Sequence, residues 1–110
     1  MKTADLTGAA LNWAVAKCEG YTEFVFWHTG AVTTRYPNGV TVNHNYSTDW
    51  AQGGPIIERE KLDLYRYAGY WGAHHPFGNG EEGPTPLIAA MRCFVASKLG
   101  DEIDIPEEFQ

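Results

Sequence analysis

A chain of 110 residues with a formal net charge of −6 is too short for two domains, and it carries no Lys/Arg stripe to neutralise phosphates. Duplex DNA or RNA is therefore a poor partner. A hydrophobic fraction of 44% argues against disorder, and no apolar run approaches the ~20 residues that span a bilayer. The charge is uneven: residues 1–80 hold seven acids against six bases, whereas residues 81–110 hold seven acids against Arg92 and Lys98. A nearly neutral body thus precedes an acidic tail.

In chain order, the first expected element is a helix from about Asp5 to Cys18. Leu11, Ala14, Val15 and Cys18 recur at helical spacing, with Leu6, Ala10 and Trp13 beside them and Gly20 as the stop. Thr22–Thr29 and Ala31–Tyr36 are rich in β-branched and aromatic residues and read as strands. Pro37-Asn38-Gly39 is a turn signal, because proline fixes φ and Asn-Gly accepts positive φ. Val40–Asn43 continues as a third strand. Asn43–Arg59 is polar and Gly-Pro punctuated, and is expected to be a long functional loop. Lys61–Tyr67 alternates, with Leu62, Leu64 and Arg66 on one face and Asp63, Tyr65 and Tyr67 on the other. Ala68–Gly83 reads as irregular.

The last helix is the clearest, with Thr85 as N-cap, Pro86 at its first position and Gly100 at its end. The expected fold is α+β: an antiparallel β-meander sheet packed against an N-terminal and a C-terminal helix. Residues 1–100 would form one domain, and residues 101–110 an acidic tail. A chain this small has a modest core, so a homo-oligomer is expected. Cys18 and Cys93 fall in apolar helical patterns and no secretory segment precedes them, which points to reduced thiols in a cytoplasm.

Catalytic patterns are missing. His28, His44, His74 and His75 form no H-x-x-x-H pair, so no metal site is expected. There is no G-x-S-x-G elbow and no dinucleotide or Walker fingerprint, so neither catalysis nor a cofactor is indicated. Asp49 and Glu58 would suit acid–base work, but Glu58 belongs to the alternating run Glu58-Arg59-Glu60-Lys61, which reads as solvated.

The segment around Trp50 holds the candidate site. Gly53 and Gly54 would let backbone amides approach an anion. Ser47, Thr48, Asp49 and Gln52 offer groups for ribose or base edges, Tyr46 and Trp50 offer stacking faces, and Arg59 offers charge. Trp71, His74 and His75 would form the opposite wall. A structural loop in which Trp50 plugs the core is the competing reading.

Three blocks carry a family resemblance: Leu6-Thr7-Gly8-Ala9-Ala10-Leu11-Asn12-Trp13-Ala14-Val15-Ala16, the run from Ser47 to Arg59, and Gly83-Pro84-Thr85-Pro86-Leu87-Ile88-Ala89-Ala90-Met91-Arg92. Together they resemble the NinX-like family of small phage and prophage proteins. Where that family commonly has Asp, this chain has Asn12, and an amide cannot act as a general base. The resemblance implies a viral accessory protein in the host cytoplasm. It also implies a counter-defence role, in which a signalling nucleotide, such as an ADP-ribose derivative or a cyclic nucleotide, is sequestered without chemistry. A protein-interaction inhibitor of a host enzyme and a nucleotide-processing enzyme are the alternatives.

Overall fold

The computed structural model describes residues 1–109. Helix α1 (Gly8–Cys18) is followed by strands β1 (Val25–Phe26), β2 (Val32–Arg35) and β3 (Thr41–Asn43), then helix α2 (Trp50–Glu60). Strands β4 (Asp63–Tyr67), β5 (Tyr70–His74) and β6 (Gly80–Gly83) precede helix α3 (Pro86–Leu99), and single 3-10 turns lie at Thr3–Asp5 and Glu107–Phe109. The architecture is α+β as expected. The meander, however, is split into two three-stranded antiparallel sheets, β1-β2-β3 and β4-β5-β6, with α2 between them in the chain.

Helix α3 holds the centre. Thr85 Oγ1 accepts from the Ile88 amide at 3.1 Å, Pro86 opens the first turn, and Gly100 closes the helix with φ 86°. Leu87, Ala89, Ala90, Met91, Cys93, Phe94, Val95 and Ala96 are buried, so α3 is enclosed on most sides. It packs against α1, α2 and all three strands of the second sheet. Small residues allow that closeness: a Cβ on Gly83 would meet the Ala89 backbone at 2.8 Å.

Three expectations are corrected. The expected loop from Asn43 to Arg59 contains helix α2. Asp49 caps it by accepting from the Ala51 amide at 2.9 Å, and Lys61 ends it in the left-handed region with φ 56°. Gly-Gly-Pro, ordinarily a break, sits inside this helix. Proline disfavours helical backbone in the residue before it partly by a clash with that residue's Cβ, which Gly54 lacks. Gly53 lacks a side chain for another reason, because a Cβ there would lie 2.6 Å from both Leu87 Cδ1 and the Tyr46 carbonyl.

The second correction concerns Ala68–Gly83, which forms β5 and β6. Gly69, with φ 89°, turns the first hairpin, and the His75 amide donates to the Asn79 carbonyl at 2.8 Å in the second. The third concerns the acidic segment after Gly100, which does not trail off. The Met1 amino group donates to the Ile103 carbonyl and the Ile103 amide to the Met1 carbonyl, both at 3.0 Å. Ile103 is buried, and the Phe109 ring rests 5.0 Å from Phe26 and 6.4 Å from Trp13. The carboxylates face water while the apolar residues between them hold the strap down.

Candidate functional site

The three sequence blocks meet in space at the start of α2. Asn12, on α1 and nearly buried, accepts through Oδ1 from the Ser47 amide at 2.9 Å and the Ser47 hydroxyl at 2.8 Å. This clamp fixes the segment that enters α2. The first turn of α3 approaches from the other side, and a shallow cleft of ≈ 220 Å³ opens between them. Its walls are Ser47, Thr48, Trp50, Thr85, Leu87 and Ile88. Trp50 is 52% exposed, so its indole flanks the cleft and does not plug the core. The cleft also lies where the N-terminal ends of two helices converge, each a source of partial positive charge that at α2 is offset by the capping Asp49 carboxylate.

The other candidate residues are committed elsewhere. Tyr46 is buried, stacked on His44 with ring centroids 5.6 Å apart, and its hydroxyl is hydrogen-bonded to His44 Nδ1 at 3.1 Å. Burial pushes its phenol well above the ordinary range. Asp49 is spent as the cap of α2. Gln52 accepts from the Asn45 amide at 2.8 Å and donates to the Asn43 carbonyl at 2.9 Å, tying α2 to the end of β3. The expected Gly53-Gly54 nest does not form, because both glycines are helical and the Gly53 amide donates to the Asp49 carbonyl.

Arg59 lies nine residues along α2 from Trp50, about 13 Å away. Its guanidinium makes a two-pronged contact with Glu19 at 2.9 and 3.0 Å and a further one with Glu60 at 3.1 Å. The Glu19 hydrogen bond is the main cause that raises its pKa. Trp71 and His74 occupy opposite faces of the second sheet, Trp71 beneath Arg66 at 5.7 Å, and neither lines the Trp50 cleft. His75 Nε2 lies instead 3.6 Å from Glu60 Oε1.

The opposite wall of the cleft is thus the start of α3, not the Trp71–His75 segment. Thr85-Pro86-Leu87-Ile88 was legible as a helix start, but nothing in that pattern announced a cleft. A larger concavity of ≈ 340 Å³ lies between the end of α1 and the β2–β3 turn, where Glu19, Glu23 and Arg35 give it mixed charge.

Three hydroxyls, an indole and two aliphatic side chains line the cleft. The hydroxyls of Ser47 and Thr85 are engaged by Asn12 and the Ile88 amide, and no histidine, carboxylate, lysine or arginine lines it among the described residues. Elsewhere, burial pushes the thiols of Cys18 and Cys93 up to about 11, which keeps them protonated. No group of three or more His, Cys, Asp or Glu among the described residues is arranged to hold a metal ion. No helix among them is long and apolar enough to cross a membrane.

No curated protein matches this chain. A family model described as bacteriophage P22 NinX matches residues 2–98, a span that contains all three blocks and every wall of the Trp50 cleft. The chain belongs to the phage P22 NinX family.

Proposed function

We propose that this phage protein is a non-catalytic binding protein that sequesters a nucleotide-type ligand at the Trp50 cleft. The observation that carries the reading is the half-exposed indole standing beside a concavity at the meeting point of two helix N-termini. An indole face stacks on any flat heteroaromatic ring, and its exposure has no packing role to explain it. The cleft volume of ≈ 220 Å³ suits one ring, so the base would enter while ribose and phosphate remain outside. There the N-terminus of α3, capped by the neutral Thr85 hydroxyl, favours negative charge, whereas that of α2 already carries the Asp49 carboxylate. A signalling nucleotide of host defence, such as an ADP-ribose derivative or a cyclic nucleotide, has this chemistry, and its capture in the host cytoplasm would blunt that defence.

Titration of a panel of adenine nucleotides, cyclic nucleotides and ADP-ribose derivatives, read by tryptophan fluorescence, tests the reading. Quenching that disappears in Trp50→Ala supports it, and a panel without any response removes it.

A second reading, inhibition of a host enzyme by direct binding, is favoured by Phe77. This residue is 93% exposed at the tip of the β5–β6 hairpin, where an unshielded ring resembles an interface anchor. A photocrosslinker at position 77 that captures one discrete protein in infected cells would support it.

A further inference from the structure

The second sheet has one covered face and one open one. Strand pairing assigns the faces: Leu64 opposes Ala73, Ala73 in turn opposes Glu81, and Ala73 is fully buried on the side of α3. The other face carries Asp63, Tyr65 and Tyr67 on β4, Tyr70, Gly72 and His74 on β5, and Gly80 and Glu82 on β6. Of the elements packed on this sheet, α3 lies against the first face.

Three tyrosines dominate the open face. Gly72 opposes Tyr65, and a Cβ there would fall 2.1 Å from the Tyr65 ring, so the glycine lets that ring lie down across β5. Tyr67 stands edge-on to Tyr65 with centroids 5.1 Å apart, and Tyr70 follows at 4.9 Å from Tyr67. Tyr67 is 50% exposed. Aromatic rings on an unpartnered sheet are a common docking platform, and tyrosine supplies large contact area at low entropic cost.

Charge selects the occupant. Asp63 and Glu82 flank the rings; among the described strand residues of this face His74 alone is basic, and the Arg92 guanidinium that reaches the sheet edge from α3 beside Tyr70 is engaged by the Leu6 and Glu82 carbonyls. Ring faces are the negative part of an aromatic quadrupole, so rings and carboxylates here attract the same kind of group. Phosphate would be repelled. A second copy docking about a two-fold axis would set this acidic face against its own equal.

We propose that the open face of the second sheet is a docking site for an arginine- or lysine-bearing segment of a partner protein. Guanidinium groups would stack on Tyr67 and Tyr70 while Asp63 and Glu82 pair with the flanking cations. Arginine fits better than lysine, because its planar cation stacks and forms forked hydrogen bonds at once. The site is separate from the Trp50 cleft and stands or falls independently of it.

The test is amide chemical-shift mapping of the full chain with four capped nine-residue probes: Arg-Gly, Lys-Gly, Gln-Gly and Glu-Gly repeats. The Arg-Gly peptide is expected to move Tyr65, Tyr67, Tyr70 and Gly72 saturably, with Lys-Gly weaker and the other two inert. Tyr67→Ala and Glu82→Gln should each weaken the Arg-Gly complex by about tenfold. Tyr67→Phe, Trp50→Ala and the Glu107→Gln/Glu108→Gln pair should leave it intact. Shifts confined to residues 101–109 would overturn the proposal, as would equal binding by Tyr67→Ala. Saturable binding of oligothymidine on this face, or self-association through it, would equally overturn it.

Discussion

Ser47 gives Asn12 two hydrogen bonds, one from its backbone amide and one from its hydroxyl, across 35 residues of chain. Both reach the same oxygen, Oδ1, in a buried setting. An acceptor at position 12 is therefore what the fold requires, and a carboxylate supplies it equally well. Asn12→Leu leaves the Ser47 amide without a partner and should cost about 1–3 kcal/mol, whereas Asn12→Asp should cost less. Chemical denaturation of the two variants checks the difference.

Gly53 faces Leu87 and the Tyr46 carbonyl with no space for a methyl group. Gly53→Ala should destabilise the protein by about 1–3 kcal/mol despite alanine's better helix propensity, since overpacking outweighs propensity here. Gly54→Ala has room beside the Trp50 ring, 3.9 Å away, so its cost should come instead from restoring a Cβ before Pro55 in helical backbone. Thermal melts of both variants decide it.

His44 is fully buried between the hydroxyls of Thr34 and Tyr46, and burial lowers its pKa. The unfolded chain takes up a proton near the ordinary value of about 6.5, while the folded chain resists until lower pH. Stability is thus fully present above that value and declines as pH falls toward the folded pKa. His44→Gln should flatten the decline. Urea unfolding between pH 7.5 and pH 5 measures both slopes.

The strap after Gly100 should contribute through its apolar residues. Ile103→Ala is expected to cost about 2 kcal/mol, a typical loss for a buried aliphatic side chain. Glu107→Gln/Glu108→Gln should change stability by less than about 0.5 kcal/mol, as surface substitutions do. A truncation at Gly100 should melt earlier than the full chain.

Much of this fold was legible because local signals agreed with one another. Thr85, Pro86 and Gly100 bracket α3 as capping chemistry predicts, and the alternation of Asp63–Tyr67 gave the correct two faces. Two of the three misreadings, that of α2 and that of β5–β6, share a cause. Gly53, Gly54, Gly72 and Gly83 look like breaks when met in sequence, yet three of them mark close approach: Gly53 to Leu87, Gly72 to Tyr65 and Gly83 to Ala89. A missing side chain has the same spelling in a turn and in a tight contact. Within the candidate site, Ser47, Thr48 and Trp50 were legible from their neighbours. Thr85, Leu87 and Ile88 were not, because their place at the cleft is set by how α3 meets α2. Arg59 looked available until its carboxylate partner appeared 40 residues away in Glu19.

The cleft beside Trp50 is the centre of the functional account. Trp50→Ala removes a half-exposed ring, so the variant should keep its fold and its melting temperature within about a degree or two. The decisive measurement is mass spectrometry of small molecules released by heat from both proteins after purification from infected cells. The account predicts a heteroaromatic, phosphate-bearing compound released unaltered from the wild type and missing from Trp50→Ala. Equal recovery from both, or a wild type that releases nothing, would contradict it.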